Sequence, residues 1–118
     1  MNDFDKLQAL FIRTCDAKLK MFQAKDRLDN DPNPYPYEPA TSHLHGLIIK
    51  GRISLYLHNR INLRDAKANA EREYYDLAKQ FNQALQDYGI PVLVDYQSHR
   101  YKATFAFNQP AANLEVIK

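Results

Sequence analysis

His43–Asn59 reads HLHGLIIKGRISLYLHN, and the class of fold turns on whether this stretch is helix or hairpin. A helix would carry Gly46 and Gly51 in its interior, at a cost of about 1 kcal/mol each. It would also scatter Ile49, Ile53 and Leu57 around the wheel. A hairpin turning at Lys50-Gly51 orders the stretch better. With Ile49 opposite Arg52, Leu44, Gly46, Ile48, Ile53, Leu55 and Leu57 share one face. His43, His45, Leu47, Ile49, Arg52, Ser54 and Tyr56 take the other. The first face is the more apolar and is expected to point inward.

C-terminal to this stretch, Leu63–Tyr88 is the longest periodic run. Leu63, Ala66, Ala70, Tyr74, Leu77, Phe81, Leu85 and Tyr88 recur at spacings of three and four, the stripe of an amphipathic helix. Arg64, Lys67, Glu71, Arg72, Lys79, Asn82 and Gln86 fall on the polar side. Asn62 is the expected cap with Asp65 at the capping-box position, and Gly89 followed by Pro91 ends the run. Ile90–Asn108 then alternates as a second hairpin, with Tyr96 opposite Tyr101 and Asp95 opposite Lys102. The tail, 109–118, can add a further strand through Leu114, Val116 and Ile117.

N-terminal to the stretch, Asp3–Leu28 has a second helical stripe of Phe4, Leu7, Phe11, Cys15, Leu19 and Phe22. Asn2 is its expected cap, with Asp5 at the third helical position. Residues 29–42 carry Pro32, Pro34, Pro36 and Pro39 and are expected to form a stiff extended strap, with Tyr35 and Tyr37 packing downward. The expected fold is α+β, a single domain of 118 residues in the order α-β-β-α-β-β. In this two-layer sandwich, an antiparallel sheet of two hairpins is covered by two amphipathic helices.

Chemistry is sparse in the sequence. There is no P-loop, GxGxxG, GxSxG or paired-cysteine metal motif. Cys15 is the lone cysteine, so no intrachain disulfide forms, and a reducing cytoplasmic setting is expected. The acidic start MNDFDKLQ has no apolar core of a signal peptide, and no membrane span is expected. The net charge of +2 is uneven: Lys50, Arg52, Arg60, Arg64, Lys67 and Arg72 lie in the central third. Eight tyrosines and no tryptophan suit a binding surface. The expected function is therefore non-enzymatic binding, with no cofactor. A protein partner comes first, as for a phage or mobile-element inhibitor of a host protein or protein–nucleic acid complex. Direct nucleic-acid binding by the basic segment comes second. The residues expected to carry binding are Lys50, Arg52, Arg60, Arg64, Lys67, Tyr56 and Tyr75.

A third reading comes from His43-Leu44-His45, which resembles the His-hydrophobe-His motif of rolling-circle replication initiators and relaxases. That resemblance implies a divalent metal held by His43 and His45 with a carboxylate, Glu38 or Glu71. It also implies a tyrosine nucleophile, Tyr75, on a later helix. The family spaces its tyrosine and lysine by three, whereas Lys79 follows Tyr75 by four. On the hairpin register above, the two histidines lie on the face turned away from the helices.

Overall fold

A computed structural model describes residues 3–118. The order is α1 (Asp3–Asp29), α2 (His43–Tyr88), β1 (Val92–Tyr96), β2 (His99–Thr104) and β3 (Asn113–Ile117). The fold is α+β, but the first expected hairpin is absent: the whole of His43–Asn59 belongs to α2, a helix of 46 residues. The sheet accordingly has three strands, β1-β2-β3, all antiparallel. Asn2, the expected cap of α1, lies outside the described residues.

Three local causes favour helix over hairpin. Ser42 is extended (φ −158°, ψ 168°), and its hydroxyl accepts the backbone N–H of His45 at 3.1 Å. That is an N-cap, placed twenty residues before the one expected at Asn62. Gly46 N–H then donates to Ser42 O at 3.0 Å, the first bond of the helix. Second, Ile49, Ile53, Tyr56, Arg60, Leu63, Lys67, Ala70 and Tyr74 follow one another at three and four, so the inward stripe continues without a break into the C-terminal half. All eight are buried or half-buried. Third, a helix satisfies its own backbone, whereas a hairpin here would need sheet neighbours that are not at hand.

α1 lies antiparallel on the C-terminal half of α2. Phe11 meets Phe81 at 5.3 Å between ring centroids, Lys18 Nζ lies 5.9 Å from the Tyr74 ring, and Arg60 Nη1 donates to Leu28 O at 3.0 Å. The proline-rich segment then continues along the N-terminal half of α2. Tyr35 sits edge-on to Tyr56 at 5.5 Å, Asp31 pairs with Arg60 at 3.4 Å, and Glu38 with Arg52 at 3.2 Å. Tyr35 and Tyr37 remain largely exposed rather than packed down.

The sheet covers the far end of the helix pair. Leu7, Phe11, Phe81, Leu85, Val92, Val94 and Ala103 form the core. The β1–β2 register sets Tyr96 opposite His99 and Val94 opposite Tyr101, two residues from the expected pairing. A slip of two keeps each side chain on its face, so Val92, Val94 and Ala103 are buried as expected. Asp95 now opposes Arg100, not Lys102, and accepts its Nε–H at 2.9 Å. The turn is the two residues Gln97 and Ser98, with Gln97 at φ 56°. At the edge of β1, the Gln8 side chain bonds both backbone groups of Asp95, at 2.7 and 2.9 Å, in place of a further strand.

A 46-residue helix is about 69 Å long, which sets the longest extent of 71 Å. The radius of gyration is 21.6 Å, against roughly 13 Å for a spherical domain of this length. One end is therefore helix pair plus sheet. The other is one helix and a strap.

Candidate interaction face on the long helix

The expected binding residues lie on the strap side of α2, over an arc of about 160°, and are strung along the helix from Lys50 to Tyr75. Arg52 is paired with Glu38, Arg60 with Asp31 and the Leu28 carbonyl, and Lys67 with Glu71 at 3.8 Å. Lys50 and Arg64 are exposed and make no ion pair among the described residues. Tyr56 is half-buried beneath the strap tyrosine, Tyr35. Tyr75 is half exposed, its ring edge-on to Tyr74 at 5.2 Å.

The histidines sit at the first turn of α2, not on a strand. At i and i+2 on a helix they point about 200° apart. The His45 Nδ1 accepts the Thr41 N–H at 3.0 Å, and its Nε2 lies 3.3 Å from Glu38 Oε1. His43 and Tyr75 now lie on the same straight rod, 32 residues apart, which is about 48 Å. A metal held at His43 and His45 and a nucleophile at Tyr75 do not meet within one chain.

Sequence reasoning missed the face turned away from the strap. Leu44, Leu47, Ile48 and Leu55 lie together there, each between 46% and 68% exposed. Their positions relative to Gly51 are −7, −4, −3 and +4, one stripe of a helix. Gly51 is at its centre, and a Cβ built there meets nothing within 4 Å. Ile61, more than half exposed, extends the apolar surface on one flank. Ser54 and His58 also lie on this face, and beyond Ile61 it is polar throughout, with Asn62, Asp65, Asn69 and Asp76. The apolar stretch thus coincides with the half of α2 that α1 leaves uncovered. The signal was in the sequence as an i, i+3, i+4 spacing. It stayed hidden because the stretch was divided between two strands.

The charged residues that α2 itself carries in this half are all basic, with Glu38 and Asp31 of the strap paired to Arg52 and Arg60. From Pro39 to Arg64 there is no Asp or Glu. Lys50 and Arg52 stand on opposite flanks of the apolar stripe, about 110° and 90° from its centre on the wheel. Among the described residues no helix is long and apolar enough to cross a membrane. Comparison with family models, curated proteins and solved structures found no match to this chain.

Proposed function

We propose that the protein is a non-enzymatic binding module that takes an acidic amphipathic helix of a protein partner on the free face of α2. The observation that carries this reading is the exposed stripe Leu44, Leu47, Ile48 and Leu55 around Gly51, with Lys50 and Arg52 on its flanks, Arg52 already paired with Glu38 of the strap. Isolated exposed leucines need no explanation, but a contiguous helical stripe of them does. A second helix crossing at Gly51 could approach closely because no side chain stands there. Its flanking carboxylates would meet Lys50 and Arg52. A second copy of this chain would instead bring those cations against their own equivalents, since α2 has no acid before Asp65. The lone thiol, Cys15, is consistent with a reducing cytoplasmic setting.

The test uses two synthetic helical peptides with the same leucine stripe, one flanked by glutamate and one by lysine. Fluorescence anisotropy should show binding of the glutamate peptide alone, lost in the Leu47→Glu, Leu55→Glu double variant. Equal binding of both peptides, or of neither, overturns the proposal. So does a concentration-dependent dimer in sedimentation equilibrium that the double variant abolishes, which would make the occupant a second copy. Binding to single-stranded or duplex DNA is the remaining alternative. Its log–log salt slope should fall by about 0.7–0.9 for each of Lys50, Arg52, Arg64 or Lys67 removed if phosphates are the target.

A further inference from the structure

The opposite end of the molecule holds a cleft of about 440 Å³ between α1, α2 and β3. β3 overhangs the helix pair and forms one of its walls. Leu114 and Val116 pair with Ala103 and Tyr101, so they stand on the inner face of the sheet, yet both are about half exposed. Phe22 and Leu19 of α1 line the mouth and are similarly exposed, and Tyr74, Phe81 and Tyr101 form the floor and back. The size falls in the range of small-molecule sites, about 300–1,000 Å³, and the lining is mostly aromatic and aliphatic as in such sites.

Its polar groups are few. Thr14 is spent on the Leu10 carbonyl at 2.8 Å, and Tyr96 donates its hydroxyl to Asp16 at 2.8 Å. Asp16 itself is not part of the lining. Lys18 is the one charged side chain among the lining residues, and it makes no ion pair among the described residues. Its Nζ stands 5.8 Å from the Phe22 ring centroid and 5.9 Å from that of Tyr74, at the aromatic mouth of the cleft. A cation held over rings beside an uncharged apolar cavity complements a ligand with the reverse arrangement.

We infer that this cleft binds a small apolar carboxylate, with the hydrocarbon body between Phe11, Phe22 and Leu114 and the carboxylate on Lys18. The site is separate from the helix face proposed above and stands without it. Cys15 lines the cleft and reports on it. Burial pushes its thiol up to about 11, so the free protein alkylates slowly, and a bound ligand should slow the reaction further.

The probe is decanoate, compared with decanol, by isothermal titration calorimetry and by the rate of Cys15 alkylation. Decanoate should bind at least fivefold more tightly than decanol and protect Cys15. Lys18→Met should bring the two affinities together while leaving decanol unchanged. Ala111→Phe, a half-buried lining position in the loop before β3, should reduce both by tenfold or more, with circular dichroism confirming the fold. The Leu47→Glu, Leu55→Glu variant should bind decanoate like the parent. Absence of Cys15 protection, or preference for decanoate that survives Lys18→Met, overturns the inference. So does a self-associating protein whose dimer is dissolved by Ala111→Phe, because the cleft would then be covered by a second copy.

Discussion

Gly51 is the residue whose presence the single chain explains least. It lies in regular helix, with open space where a side chain would be. Glycine there costs about 1 kcal/mol relative to alanine. Gly51→Ala should therefore raise the unfolding free energy by about that amount in urea titration, and should weaken binding of the acidic helical peptide. Stabilisation without loss of binding would remove the close-crossing argument. Asn82 is the converse case. It falls on the polar side of the helical pattern yet is only 5% exposed. Its Nδ2 donates to the Ala106 and Gln109 carbonyls, both at 3.0 Å, and its Oδ1 accepts the Ala106 N–H at 2.9 Å. One side chain thus satisfies three backbone groups of the loop leading to β3. Asn82→Ala strands all three and should cost roughly 2–4 kcal/mol by chemical denaturation, more than most single losses. An asparagine that binds a loop 24 residues away has no signature in periodicity, so its burial was not legible in the sequence. The burial of Leu77, Phe81 and Leu85 was, because three consecutive turns of one stripe admit one inward face.

At the scale of elements, local signals located the end of α2 closely and its start poorly. α2 ends at Gly89, where capping and proline chemistry put it, with Gly89 at φ 91° and its N–H on the Leu85 carbonyl. The start of α2 was misplaced because Gly46 and Gly51 resemble turn residues when read alone. Neither requires a turn here. Ser42 caps the helix, and the stripe Ile49, Ile53, Tyr56 and Arg60 is supported by a strap whose path the sequence pattern does not specify. Ser42→Ala should cost about 1 kcal/mol, read as a lower thermal midpoint, with loss of ellipticity beginning at the first turns of α2. The sheet carries a comparable local strain. Gln97 holds φ 56° in the two-residue turn, a region glycine occupies more readily than glutamine. Gln97→Gly should stabilise by about 0.5 kcal/mol. A loss of stability would mean that the Gln97 side chain contributes more than its backbone strain costs.

At the scale of the whole molecule, stability and exposure are divided along one helix. The C-terminal half of α2 is enclosed by α1 and the sheet, and carries Leu77, Ala78, Phe81 and Leu85 in its buried stripe. The N-terminal half has Ile49 as its one buried residue among the described positions and leans on the strap through Tyr35–Tyr56, Arg52–Glu38 and Arg60–Asp31. The Arg52–Glu38 pair is exposed and contributes about 1 kcal/mol or less. Arg60–Asp31 is more buried, but with Ile49 as the one buried residue of this half, the N-terminal half is held less firmly. Backbone hydrogen bonds in the two halves belong to one rod but to different opening free energies. Hydrogen exchange on the full chain should therefore separate them, with amides of 46–59 exchanging at least a hundredfold faster than those of 74–85. The acidic helical peptide should slow exchange in 46–59 selectively and leave the sheet end unchanged. Decanoate should do the reverse, protecting the sheet end while 46–59 stays open. Uniform protection along α2 in the free protein would contradict the division. It would imply that something already covers the apolar face, and a concentration series would show whether that cover is a second copy.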